Sequence, residues 1–115
     1  MAQRIEVVRG TTNTFEISVI DSSGGAYALG SGERIFFGIK RKPEDKELIF
    51  KKVAEVKGEG LFSVKILPED TESLNFGQYF YDVGLQQGAD YHNIIEPNPF
   101  IVLANITSRE VANID

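Results

Sequence analysis

The chain has 115 residues, 42% hydrophobic and 25% charged, with a net charge of −5 and no cysteine. That length gives one domain, residues 1–115, with a real core, and the composition excludes a disordered chain. The acidic balance disfavours a nucleic-acid partner, which needs a basic face, and the missing thiols exclude disulfides and thiolate metal sites.

The dominant hydrophobic period is two, so strands are expected rather than helices. Met1-Ala2-Gln3-Arg4 lacks the apolar run of a signal peptide, so synthesis in a cytoplasm is expected. Phe15, Ile17 and Val19 form one alternating set, and Ile35, Phe37 and Ile39 form the next. Lys42-Pro43-Glu44-Asp45 supplies a turn with proline at its second position. Leu48 to Val53 breaks strict alternation, and its lysines suit an edge strand that resists pairing with other chains. Lys57-Gly58-Glu59-Gly60 reads as a turn before Phe62, Val64 and Ile66. Pro68 to Leu74 allows a helical turn, and Tyr79, Tyr81, Val83 and Leu85 follow as another inward set. These signals place strands at roughly 4–9, 13–20, 33–42, 47–54, 60–67, 78–86 and 93–105. The expectation is an all-β, immunoglobulin-like β-sandwich of about seven antiparallel strands.

Asp70 to Val83 carries the most specific local signal. In immunoglobulin-type sandwiches a corner tyrosine packs its ring inward and bonds upstream backbone through its hydroxyl. Tyr79 resembles that tyrosine, Tyr81 takes the place of the second cysteine, and Asp70 and Gly77 resemble the corner's acidic and glycine residues. The missing cysteines and tryptophan exclude an antibody-type domain.

No catalytic motif emerges. His92 is the only histidine, with no nucleophile elbow beside it, so a triad or a histidine metal site is not expected. The dispersed aspartates suit turns, and the glycine pairs lack the Lys-Ser/Thr of a phosphate loop. No enzyme activity, cofactor or membrane insertion is expected. If the inward sets are as assigned, Phe36, Phe80, Ile101 and Leu103 face outward from one sheet as an apolar patch suited to association. The alternative is a carbohydrate- or ligand-binding module using Tyr27, Phe76 and Tyr91.

The order of motifs also resembles a known family. Arg9-Gly10-Thr11-Thr12 precedes Phe15-x-Ile17, and Leu29-Gly30-Ser31-Gly32 and Ile39-Lys40-Arg41-Lys42 come next. Asp70-Thr71 and Leu74-x-x-Gly77-x-Tyr79-x-Tyr81-Asp82-Val83 then lead to a last strand closing in Ile106-Thr107. This series resembles the N-terminal domain of phage baseplate upper proteins. The resemblance implies a non-enzymatic phage or prophage tail or baseplate protein with an immunoglobulin-like sandwich. It implies partners that are further copies of itself, as a homo-oligomer, or other virion proteins. It also implies a bacterial cytoplasm during synthesis and the virion afterwards.

Overall fold

A computed structural model describes residues 4–107. The strands are β1 (Ile5–Val8), β2 (Asn13–Ser18), β3 (Arg34–Lys40), β4 (Phe50–Val53), β5 (Glu55–Gly58), β6 (Leu61–Ile66), β7 (Gly77–Gln87) and β8 (Asp90–Leu103), with one short helix, α1 (Pro68–Thr71). They form a five-stranded sheet, β1-β8-β7-β3-β4, and a three-stranded sheet, β2-β6-β5.

Both sheets feed one core. Ile35, Phe37, Ile39, Tyr79, Tyr81, Val83, Phe100 and Val102 come from the larger sheet, and Ile17, Phe62, Val64 and Ile66 from the smaller. Each is at an alternate position of its strand, because the pleat sends successive side chains to opposite faces. Phe37 sits at the centre. Its ring stacks on Tyr81 at 5.4 Å and on Phe15 at 6.4 Å, and meets Phe100 edge-on at 6.2 Å.

The described strands number eight rather than about seven, and not all are antiparallel. β1 runs parallel to β8, pairing Ile5 with Phe100 and Val8 with Leu103. Strand pairing depends on distant sequence, so local alternation did not report its direction. The extra strand is β5, whose Val56 pairs with Phe62 where a turn was expected at Lys57 and Gly58. All four β5 residues are exposed, so it has no inward apolar set to reveal it. β4 does lie at the edge of its sheet.

The two long sides of the sandwich differ. On one side only Ala54 separates β4 from β5, and the chain passes there from one sheet to the other. Ala54 is buried and its amide still donates to the Ile35 carbonyl at 2.8 Å, so the corner is closed. On the other side β1 reaches only Phe100–Leu103 of the long β8. Upstream of that, the β8 edge has no strand beside it among the described residues.

Candidate functional site

The solvent face of the larger sheet holds the expected apolar residues, but not in one patch. Phe80 lies opposite Pro99, Gln78 lies opposite Ile101, and Val8 lies opposite Leu103. Phe80 and Ile101 are therefore diagonal neighbours. Val8 and Leu103 extend that cluster and are exposed, at 37% and 39%. Phe36 stands apart. It pairs with Gly84, four residues along β7 from Phe80, which is about 13 Å of strand. The Gly38–Asp82 pair lies between them, and Leu48 is laid over Gly38. Phe36 instead joins Val53, its partner on β4, and is covered by Lys51, whose Nζ is 4.4 Å from the ring centre. Alternation alone showed that Phe36 faces outward. It could not show that a glycine–aspartate rung divides the stripe.

Tyr91 lies across Gly84 on this face. A Cβ at Gly84 would fall 1.9 Å from the Tyr91 hydroxyl, so glycine leaves the space the phenol occupies. Desolvation, and then the nearby Asp82 charge, push the Tyr91 hydroxyl above its ordinary pKa.

At the corner, the Tyr79 hydroxyl donates to the Asn75 carbonyl at 2.8 Å, and the Arg41 guanidinium covers its ring at 4.9 Å. Gly77 has φ +134°, a region that favours glycine. The Asp70 carboxylate accepts the Leu67 amide at 2.7 Å and pairs with Lys52 Nζ at 2.7 Å. Tyr81 is buried against Phe37. Asp70, Tyr79 and Tyr81 thus make structural contacts, and Gly77 supplies the backbone conformation of the corner.

The three aromatics weighed for a ligand groove are dispersed. Phe76 immediately precedes β7 and lies under the Arg9 guanidinium, 4.2 Å from its ring centre. Tyr91 is near the other end of β7, opposite Gln86. Tyr27 is in the β2–β3 loop, where its hydroxyl donates to Glu33 at 2.5 Å and accepts from Gln87 at 2.9 Å. The Tyr27 hydroxyl, and then the Gly30 amide, hold the Glu33 carboxyl below its ordinary value. The hydrogen bond to Glu33, and then desolvation, push Tyr27 up. A depressed carboxyl contributes stability above its unfolded pKa and loses it as pH falls through the lower folded value. Carbon-detected NMR titration should therefore show Glu33 titrating at a higher pH in Tyr27→Phe than in wild type. Equal values would mean that the tyrosine does not hold this loop.

The open side of the sandwich forms a cleft of about 1490 Å³. Phe37, Tyr81 and Val83 make its floor, and Phe15, Ile17, Ile94 and Ile95 add apolar flanks. Five consecutive β2 residues, Thr14 to Ser18, line one wall. A run including both faces of a strand means that its backbone edge fronts the cleft. The other wall is β8 from Asn93 to Asn98, with Arg4 to Glu6. β8 is bulged there, since its pairing to β7 shifts between Tyr81 and Val83 and again between Val83 and Gly84. The shifts bring adjacent Ile94 and Ile95 to the core. Sequence reading missed the cleft. The break in alternation at Ile94-Ile95, ahead of Pro97 and Pro99, was the available signal.

His92 is exposed on β8. Among the described residues, no group of three His, Cys, Asp or Glu side chains is placed to hold a metal ion, and no helix is long and apolar enough to cross a membrane. The sequence matches no family model and no curated protein.

Proposed function

We propose that this chain is a non-enzymatic structural protein that acts by docking into a larger assembly of the phage or prophage tail or baseplate kind. The observation that carries the docking role is the cluster of Phe80, Pro99, Ile101, Leu103 and Val8 on the solvent face of the larger sheet. A contiguous apolar patch of this type is a common mark of an association surface. The order of motifs from Arg9 to Thr107, with its resemblance to baseplate upper proteins, supports the phage setting. The sheet orders β1-β8-β7-β3-β4 and β2-β6-β5 support an immunoglobulin-like reading, because β3, β7 and β8 share one sheet and β2, β5 and β6 the other. On this reading the protein is made in the bacterial cytoplasm and works in the virion, as a homo-oligomer or with other virion proteins.

Light scattering over a range of concentrations tests the homo-oligomer. The wild type should exceed monomer mass, and Phe80→Ser combined with Ile101→Thr should return it to monomer. A wild type that stays monomeric throughout would remove self-association through this face.

A second reading is a carbohydrate-binding module. Its support is the exposed Tyr91 ring beside Asp82 and Phe36, an aromatic surface with a carboxylate at hand. Glycan-array binding abolished by Tyr91→Ala would favour it over the assembly role.

A further inference from the structure

The cleft on the open side has the features of a strand acceptor. Among the described residues, β2 is the last strand of its sheet and pairs only with β6. In an antiparallel strand, alternate residues direct their N–H and C=O groups to the unpaired side, so this edge offers backbone donors and acceptors along its length. Beside it Phe15, Ile94 and Ile95 pack against the core and are only partly buried. An extended polypeptide is the occupant that satisfies both, bonding the edge with its backbone and covering these half-buried side chains with its own alternate side chains.

The two walls are not equivalent. β8 carries Pro97 and Pro99, which have no N–H, and its two pairing shifts bend the edge. Prolines and bulges discourage edge-to-edge pairing. β2, Asn-Thr-Phe-Glu-Ile-Ser, has neither proline nor pairing shift. An incoming strand therefore pairs with β2 and only leans on β8.

Charge narrows the partner. Glu16 stands on the β2 wall and Glu96 on the β8 wall, both exposed and in no ion pair among the described residues. The cation of the cleft, Arg4, is engaged by Glu6 at 2.7 Å. The lining thus has a carboxylate on each side. A second copy would bring a net charge of −5 toward it, whereas a basic segment brings the complement.

We propose that this cleft accepts an extended segment of a different protein, alternately apolar and basic, which adds to the free edge of β2 and covers Phe15, Ile94 and Ile95. About six residues suffice to match β2, roughly 20 Å of strand. The site is separate from the outer apolar face, so either can fail without the other.

The test uses two labelled heptapeptides alternating valine and isoleucine with lysine in one and glutamate in the other. Fluorescence anisotropy at low salt should show saturable binding of the lysine peptide, about tenfold tighter than the glutamate peptide. Hydrogen exchange should slow at β2 amides and not at the β4 or β5 edges. Glu16→Lys combined with Glu96→Lys, both surface changes, should invert the peptide preference while leaving the thermal midpoint in place. Equal binding of the two peptides, no saturation, protection away from β2, or a preference unchanged by charge reversal would each overturn the proposal. A self-dimer that the lysine peptide dissociates would overturn the assignment to a different protein.

Discussion

Replacing Phe37 with alanine should cost about 3–5 kcal/mol, measured by urea unfolding. Phe37 is 1% exposed, and its ring meets Phe15, Tyr81 and Phe100, which come from both sheets. Truncation loses the transfer energy of the ring and leaves a cavity that surrounding strands cannot close without breaking their ladders. A domain of this size typically has about 5–15 kcal/mol in total, so the variant should lie close to unfolding. Phe36→Ala is the control. It removes the same side chain from the neighbouring residue, but one that faces outward and is only half-buried, under Lys51. Its cost should be about 1 kcal/mol. Similar losses for the two variants would refute the inward and outward assignment of β3.

The second large effect is expected at Asp70. Its carboxylate serves two structures at once, capping the start of α1 at the Leu67 amide and neutralising Lys52 from β4. The side chains of the pair are only 14% and 23% exposed, so solvent screens it incompletely. Asp70→Ala loses a cap, ordinarily about 1 kcal/mol, and leaves the Lys52 ammonium, only 23% exposed, without this counter-charge. The total should be about 2–4 kcal/mol by chemical denaturation. Adding Lys52→Met should recover part of the loss, because it removes the stranded charge. If the two substitutions simply add in a double-mutant cycle, the ion pair contributes nothing to stability.

Much of the fold was legible in the sequence because strand alternation is a local property. Phe15 and Ile17, Ile35 to Ile39, Phe62 to Ile66, and Tyr79 to Leu85 could be assigned inward without any pairing partner. The lysines of β4 pointed to an edge, and β4 is at one. β5 was not legible, because a short strand exposed on both faces has the composition of a turn. The candidate patch was legible only residue by residue. Phe36, Phe80, Ile101 and Leu103 all emerge on the solvent side, but the register joins the last three and isolates Phe36 behind Gly38 and Asp82.

The sequence by itself determined which side chains each strand buries, because a period of two is written into every alternating run. The tertiary structure decided which strands became neighbours, which set the parallel β1–β8 pair and the break in the apolar stripe. It also decided where a neighbour is lacking. Among the described residues, β1 pairs with β8 only from Phe100 onward, and the cleft opens upstream of it against the edge of β2. Such an opening belongs to no single segment. It follows from the relative lengths of strands far apart in the chain, which local periodicity does not encode.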